Sequence, residues 1–192
     1  MCRHRGLFSD IEGSTALLEE LGDECGLRVL HRHNAVIRRY VAKHRGFDVK
    51  SQGDGFMVAF SSARSAIRCA IEIQRDLAAH RDRSDYQLFR VRIGMHTGEV
   101  IREREDFIGR NVTPAARIAA IAGGNQILVS ALLRELVAGS HEFQFGKAWE
   151  EQLKGLREPQ RVHKVRWYSP FGCTAGARSR LPQGSSEQSR RP

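Results

Sequence analysis

Two acidic segments of the sequence contain the residue types that hold a divalent cation together with phosphate groups. Asp10 follows a short apolar run, and Asp54 lies between Gly53 and Gly55 at the turn between two strand-like runs. If the strands beside them pair, both carboxylates lie at one edge of a sheet, next to backbone N–H groups that glycine leaves accessible. Carboxylate oxygens are ligands that Mg²⁺ prefers. The two segments therefore predict a site for magnesium and a polyphosphate.

The composition is that of a globular domain. The chain has 192 residues, 41% of them hydrophobic, which is enough for one domain with an apolar core. Its apolar runs are shorter than the roughly 20 residues that a transmembrane helix needs, and no signal-peptide pattern precedes the first acidic segment. The four cysteines have no metal-site spacing, which favours free thiols in a reducing compartment. We therefore expect a cytoplasmic protein without a membrane span.

The chain is basic, with a formal net charge of +9. Such a balance favours anionic partners, among them nucleotides, nucleic acids and lipid headgroups, although most of these arginines also fit an ordinary solvated surface. A nucleic-acid-binding module is the contrasting hypothesis, motivated by the charge and by the arginines near the C-terminus. No helix-turn-helix, zinc-finger or aromatic RNA-binding pattern accompanies them. We therefore do not expect nucleic acid as the partner.

Residues 5–100 contain predicted elements in the order strand, helix, hairpin, helix, strand. A short strand at 5–10 precedes a helix capped by Ser14 or Thr15, a longer helix ends near residue 43, and two strand-like runs flank the turn at 53–55. Because that turn is tight, an all-parallel sheet is excluded. The order predicts the α+β class with a ferredoxin-like (split βαβ) core, in which a mostly antiparallel sheet has helices packed on one face.

The remainder of the chain divides into an extension and a tail. A short helix with Pro114 in its first turn, a strand at 126–129, a helix at 130–137 and two late strands predict a C-terminal α/β extension. After residue 168 Gly, Ser, Gln, Pro and Arg dominate, and such a composition cannot form a core. We therefore expect one domain at 1–168 and a disordered polar and basic tail at 169–192.

Four segments together resemble the catalytic domain of the class III nucleotide cyclases, and the resemblance covers about residues 5–168. Each segment alone is weak evidence, whereas all four occur in the family's order and at plausible spacings. The segments are FSDIEGST (8–15), KSQGDGF (50–56), RIGMHTG (92–98) and LKGL (153–156). The resemblance implies a ferredoxin-like core that converts a nucleoside triphosphate to a 3′,5′-cyclic monophosphate and pyrophosphate, using two divalent cations, Mg²⁺ or Mn²⁺.

The same resemblance assigns the cation and phosphate ligands. It makes Asp10 and Asp54 the metal-binding carboxylates and the carbonyl of Ile11 a third protein ligand. Backbone N–H groups at the start of the first helix would receive the phosphates. The implied phosphate-binding residues are Glu12, Gly13, Ser14, Thr15 and Lys154. Taken singly, Asp10 also fits a helix-entry carboxylate and Asp54 an ordinary turn residue.

Base recognition is implied for Lys50 and Asp106, which match the family's adenine-reading pair. A cation and a carboxylate can read the ring acceptor and the exocyclic amino donor of adenine, and guanine presents the opposite pattern. ATP is therefore the expected substrate, and the expected enzyme is an adenylate cyclase. Solvent-facing positions remain the alternative for both residues.

The implied catalytic residues are Arg117 and Thr113. Arg117 matches the arginine that stabilises charge on the α-phosphate, while Thr113 stands where the family usually has an asparagine. Loss of one such donor costs ~10²–10³ in rate at oxyanion-type sites. A catalytically weak nucleotide-binding or regulatory module is therefore an alternative, also motivated by the short first strand, and a guanylate cyclase is another.

A dimer is the last implication of the resemblance. In this family one subunit contributes the metal-binding aspartates, and the other contributes the base-reading pair, the arginine and the phosphate-binding lysine. Because this chain carries both sets, we expect a head-to-tail homodimer with two equivalent sites.

Overall fold

The computed structural model describes residues 3–80, 90–99, 101–103, 106–108 and 112–168, and the fold is described for these residues. In chain order its strands are β1 (Arg3–Ile11), β2 (Phe47–Gln52), β3 (Gly55–Phe60), β4 (Val91–Glu99), β5 (Ile101–Glu103), β6 (Asp106–Ile108), β7 (Ile127–Ser130), β8 (Gln144–Phe145), β9 (Trp149–Glu151) and β10 (Gln160–Arg166). Its helices are α1 (Ser14–Lys43), α2 (Ala63–Ala79), α3 (Val112–Ile121) and α4 (Ala131–Glu135), followed by one turn of 3₁₀ helix at Ala138–Ser140.

Eight of the described strands form one sheet, in the order β2-β3-β1-β4-β7-β10-β8, with β9 beside β10. The neighbours are antiparallel except β4 and β7, which are parallel. Strands β5 and β6 form a separate hairpin. The order β1-α1-β2-β3-α2-β4, with β1 between β3 and β4, is the predicted split βαβ core. The α+β class and the mostly antiparallel sheet are therefore confirmed.

Strand β1 is longer than the sequence indicated. It spans nine residues and is paired with β4 over its whole length, from Arg3 opposite Glu99 to Ile11 opposite Val91. The expectation of a short first strand at 5–10 is therefore wrong. The spacing of apolar residues did not reveal the start of this strand, because its first residues are basic. They belong to the strand because their main chain pairs with β4.

Helix α1 contains the two predicted helices, which meet at a kink at Gly22. Gly22 has φ 70° and ψ 168° within the helix, a conformation that glycine adopts at little cost. The residue before the helix is Gly13, in the left-handed region with φ 66° and without a side-chain cap. The predicted caps Ser14 and Thr15 are therefore the first residues of the helix instead.

The hairpin turn follows the prediction, and serine hydroxyls cap two later helices. Gln52 pairs with Gly55, so the turn consists of Gly53, with φ 63°, and Asp54. The hydroxyl of Ser62 accepts a hydrogen bond from the Ser65 amide and caps α2. Ser130 caps α4 in the same way. Three short strands, instead of the predicted two, follow α4, and the predicted tail at 169–192 lies outside the described residues.

The sheet has an apolar core on each face. Helices α1 and α2 cover the larger core, to which β4 contributes Val91, Ile93 and Met95. Side chains alternate along a strand, so Gly94 faces the other side. There α3 packs directly on it, and the smaller core consists of Ile118, Ala122, Leu128, Leu153 and Val162. The two helices of the split βαβ core thus share one face as expected, whereas α3 lies on the opposite face.

Within the described helices, none is both long and apolar enough to cross a membrane.

The close approach of α3 to β4 predicts a large effect of Gly94→Ala. A Cβ at Gly94 would lie 2.1 Å from the backbone N of Ala119 and 2.4 Å from the carbonyl O of Ala115. Because these are backbone atoms, α3 must move, and we expect the free energy of unfolding to fall by about 1–3 kcal/mol in urea denaturation. Gly139→Ala is the matched control, since nothing lies within 4 Å of its added Cβ. Equal stability of the two variants would contradict this packing.

Candidate active site

The two predicted aspartates meet where β1 leaves the sheet. The last paired residues of β1 and β3 are Ser9 and Phe56, so Asp10 and Ile11 lie beside the turn that carries Asp54. The backbone N–H of Ile11 donates a hydrogen bond to Oδ2 of Asp54, at 3.0 Å. Since the Ile11 side chain is buried in the larger core, this bond holds the Asp54 carboxylate on a fixed part of the backbone.

Asp10 is held from the other side by Arg92. These two residues are opposite each other in the β1–β4 register. The Nε of Arg92 donates to Oδ1 of Asp10 at 2.5 Å, and Nη2 donates to Oδ2 at 2.9 Å. This two-point contact fixes the plane of the carboxylate more strictly than a single bond would.

The ionisation of Asp10 reflects opposing influences. Burial raises the pKa of Asp10 above its ordinary value, and the nearby negative charge of Asp54 raises it further. The hydrogen bonds and the positive charge of Arg92 act in the opposite direction without cancelling the effect of burial. Because the charge of Asp54 disfavours the charged form of the partly buried Asp10, a cation placed between the two carboxylates is stabilised.

His33 of α1 lies behind this acidic pair. It is fully buried, and its ring centroid is 5.8 Å from that of Phe56, two residues after Asp54. Burial lowers the pKa of His33, although its hydrogen bond to Asn34 and the charge of Asp54 oppose that change. At neutral pH the imidazole is therefore uncharged and belongs to the floor of the site.

Glu12 makes two hydrogen bonds within the protein. Its backbone N–H donates to the carbonyl of Arg90 at 2.8 Å, so this amide is already used within the protein. Its carboxylate accepts from the N–H of Gly124 at 2.9 Å. A Cβ at Gly124 would lie 2.5 Å from Cβ of Arg90, an atom that is fixed to the backbone, so a larger residue would force the chain to shift here. Glu12 therefore joins the start of α1 to the turn after α3, and its role as a phosphate-binding residue stays a prediction.

The remaining residues of the predicted phosphate loop lie at the N-terminus of α1. Gly13, Ser14 and Thr15 form the transition from β1 to the helix, directly after the two aspartates converge. The first amides of a helix have no partner within the helix, and together with the helix dipole they favour an anion. This segment and the acidic pair therefore offer complementary charges within one short stretch of chain.

Arg117 and Lys154 are not part of this cluster within one subunit. Arg117 is half-buried on α3, and Lys154 is exposed in the loop after β9. Among the described side chains, no hydrogen bond or ion pair connects either of them to Asp10 or Asp54. The side chains of Lys50, Asp106 and Thr113 lie outside the described part of the structure.

The donor set suits a hard cation that is also bound by its substrate. Within the described residues, no three His, Cys, Asp or Glu side chains are grouped to hold a metal ion alone. The available protein donors are the Asp10 and Asp54 carboxylates and a main-chain carbonyl such as that of Ile11. Mg²⁺ is usually bound by one or two carboxylates plus substrate phosphates, and this arrangement fits that pattern.

Arg92 is the site residue that sequence reasoning missed. In the sequence it is only the first residue of the segment RIGMHTG (92–98), and nothing local links it to Asp10. The signal that could have found it is a cross-strand pair of opposite charge, which becomes visible only once β1 and β4 are paired in the right register.

Comparison with known proteins identifies the family. Residues 6–168 match the model of the adenylate and guanylate cyclase catalytic domain. The chain therefore belongs to this family, the class III nucleotide cyclases, and the predicted resemblance is confirmed.

Individual relatives agree with this assignment. The chain is 30% identical to an adenylate cyclase from Neurospora crassa over 225 residues, which is 88% of this chain and 10% of that protein. A solved adenylate/guanylate cyclase/hydrolase from Silicibacter pomeroyi has a TM-score of 0.72 and 29% identity, covering 85% of this chain and 95% of that one. The guanylyl cyclase Cya2 has a TM-score of 0.76 at 24% identity, covering 88% and 95%. The chain spans 10% to 54% of the length of three curated relatives that it matches.

The proximity of the two carboxylates predicts how the pKa of Asp10 responds to Asp54→Asn. Because the Asp54 charge raises the Asp10 pKa, its removal should lower that pKa in metal-free protein, and carboxyl-carbon NMR titration would detect the change. Asp48→Asn is the control, since Asp48 lies on the same hairpin but pairs with Arg38. An unchanged Asp10 pKa in Asp54→Asn would mean that the two carboxylates do not interact.

Proposed function

We propose that this chain is an adenylate cyclase that converts ATP to 3′,5′-cyclic AMP and pyrophosphate at a homodimer interface. The observation that carries the proposal is the convergence of Asp10 and Asp54 at the end of β1, linked by the Ile11–Asp54 hydrogen bond. In a member of the cyclase family, an acidic pair beside the N-terminus of α1 is the feature on which the chemistry depends.

Asp10, Asp54 and the carbonyl of Ile11 would hold two divalent cations, Mg²⁺ or Mn²⁺. When bound, such cations make the ribose 3′-hydroxyl more acidic and neutralise charge on the triphosphate. The part of the protein itself is to keep both carboxylates oriented before substrate arrives. The hydrogen bond from Ile11 and the two-point contact from Arg92 serve that purpose.

The triphosphate would lie against the N-terminus of α1. The amides of Gly13, Ser14 and Thr15 provide donors there, and Gly13 has the left-handed conformation that turns the chain into the helix. Glu12 is assigned to the same phosphate-binding segment, and in this subunit its amide donates to the carbonyl of Arg90. Lys154, which is exposed on its loop, would contribute a positive charge from the second subunit.

Reading of the base is assigned to Lys50 and Asp106, as the family resemblance implies. Their pairing favours adenine, and the relative from Neurospora crassa is named an adenylate cyclase. A guanylate cyclase is the competing function, favoured by the fold similarity to the guanylyl cyclase Cya2.

The proposed dimer is supported by the absence, among the described side chains of one subunit, of a contact between Arg117 and the acidic pair. Arg117 lies on α3 without a contact to the acidic pair among the described side chains, so one subunit does not bring the predicted site together. A head-to-tail pair would place Arg117 of one subunit near Asp10 and Asp54 of the other, giving two equivalent sites. We also place the protein in the cytoplasm, where the free thiols Cys25 and Cys69 would remain reduced.

A weakly active nucleotide-binding module remains the second candidate, and Thr113 favours it. Its hydroxyl has less reach than the amide that the family usually has there. The other argument for this candidate was a short first strand. Because β1 spans nine residues, that argument no longer applies.

The proposed activity predicts cyclic AMP formation from ATP with Mg²⁺ or Mn²⁺, and a large loss in Asp54→Asn. Removing a metal ligand should lower the rate by more than about 100-fold, since even outer-shell partners of a metal cost 10–100-fold. Asp48→Asn, on the same hairpin, is the control and should retain activity. Absence of product from a folded dimer with either metal would refute the enzyme, and a preference for GTP would refute the roles of Lys50 and Asp106.

The shared site predicts complementation between Asp10→Ala and Arg117→Ala. Each variant alone should be nearly inactive, but a mixed dimer contains one site with both residues intact. Random exchange of subunits would restore roughly a quarter of wild-type activity. The control mixture of Asp10→Ala with Asp54→Ala should show no rescue, because every site then lacks one carboxylate. Equal activity of the two mixtures, with mixed dimers shown to form, would contradict the shared site.

A further inference from the structure

Arg38 of α1 contacts three residues of the β2–β3 hairpin. Its Nη1 donates a hydrogen bond to Oδ2 of Asp48 at 3.3 Å, and its Nη2 donates to Oγ of Ser51 at 3.1 Å. Its guanidinium carbon also lies 5.4 Å from the ring centroid of Phe56, within the range of a cation–π contact. One side chain of the helix therefore contacts both strands of the hairpin.

The two hydrogen bonds of Arg38 depend on a bulge in β2. Side chains alternate along a regular strand, so residues three apart, such as Asp48 and Ser51, would face opposite sides of the sheet. The β2–β3 register shifts between Asp48 and Lys50, which leaves Val49 as the extra residue of a bulge. The bulge returns Asp48 and Ser51 to the same face, where one guanidinium contacts both.

The register after the bulge also assigns a face of the sheet to position 50. Ser51 is opposite Phe56, which is buried in the larger core that α1 and α2 cover. Lys50 is opposite Met57, the next residue of β3. Because successive positions alternate, position 50 belongs to the other face of the sheet, the face on which α3 lies. A slip of one residue here would turn it towards α1.

Apolar packing alone restrains this part of β2 weakly. In the described sheet β2 is an edge strand, paired with β3 alone. A cavity of about 250 Å³ lies between α1 and the hairpin, and Val41, Ala42 and Gly46 line it together with the residues of the Arg38 contacts. A strand that is paired on one side and packed loosely has a weakly specified register. The contacts of Arg38 therefore supply a restraint that the packing does not.

We propose that Arg38 is a positioning residue for base recognition, which holds the β2 bulge and thereby keeps position 50 on the α3 face of the sheet. The proposal rests on the proposed function, because it assumes that Lys50 reads the base. It goes further by assigning a role in substrate discrimination to a residue of α1, on the opposite face of the sheet. Arg38 acts through the hairpin and touches neither base nor phosphate.

An ordinary surface ion pair is the competing explanation. The side chains of Arg38 and Asp48 are 59% and 32% exposed, and exposed pairs usually add little to stability. The two explanations differ in what they affect, because an ordinary surface pair would leave nucleotide binding unaltered. Arg38→Lys separates them, since lysine keeps the positive charge but lacks the planar fork that contacts Asp48 and Ser51 together.

The experiment measures binding of non-cyclisable ATP and GTP analogues to the full chain by calorimetry, together with KM and kcat for ATP and stability in urea. We expect Arg38→Lys to weaken binding of the ATP analogue roughly 10-fold, as loss of one hydrogen bond to a charged group does, and to reduce the preference for ATP over GTP. KM should rise while kcat changes little, because the cation ligands and Arg117 are unaltered. Stability should stay close to that of the wild type.

Neighbouring residues provide matched variants. Arg39→Lys changes the next arginine of α1, whose guanidinium carbon lies 5.4 Å from the ring centroid of Tyr40 on the same helix, and should behave like wild type. Asp48→Asn keeps a side-chain oxygen that accepts from Arg38, so nucleotide binding should persist there. Ser51→Ala removes the other acceptor and should weaken binding of the ATP analogue. Its effect should not add fully to that of Arg38→Lys, because both changes break the same contact.

Lys50→Ala tests base recognition itself, so the outcomes separate this proposal from the proposed function. A reduced ATP preference in Arg38→Lys and Lys50→Ala, with Arg39→Lys like wild type, supports the role of Arg38. Wild-type affinity and preference in a folded Arg38→Lys variant, while Lys50→Ala loses both, overturns that role and leaves the proposed function intact. An equal loss in Arg39→Lys also overturns it. Wild-type preference in Lys50→Ala overturns the base-reading assignment and the role of Arg38 that depends on it.

Discussion

The pairing of β1 with β3 on one side and β4 on the other is the constraint on which the site depends. It places Asp10 beside the turn that carries Asp54 and directly opposite Arg92. The register is fixed by burial, because Leu7 and Ile11 are 0% and 2% exposed and a slip of one residue would turn them towards the other face. The same apolar packing that stabilises the sheet therefore determines the geometry of the acidic pair.

The resulting site holds charges that are unfavourable together without a partner. Burial and the neighbouring Asp54 disfavour the charged form of Asp10, and Arg92 offsets only part of this effect. Such an arrangement stabilises a cation once it binds, because positive charge relieves the repulsion between the carboxylates. Glu12 and Arg92 extend the site towards α3, so that the cation half and the helix that carries Arg117 form one connected unit.

Local sequence signals predicted the parts of the molecule that local physics determines. The Gly53–Asp54 turn and the order of the split βαβ core follow from glycine conformation and hydrophobic periodicity. The position of Arg92 opposite Asp10 and the packing of Gly94 on α3 depend on non-local register, which periodicity does not reveal. The bond from Glu12 to Arg90 was missed for the same reason, because it joins residues that are distant in sequence.

The most direct test of this account is anomalous diffraction from crystals grown with Mn²⁺ and a non-cyclisable ATP analogue. We expect Mn²⁺ peaks within coordination distance of the carboxylate oxygens of both Asp10 and Asp54, with the analogue's phosphates against the start of α1. Peaks that contact only one of these residues, or that lie elsewhere on the protein, would contradict the claim that β1 brings the two aspartates into one cation site.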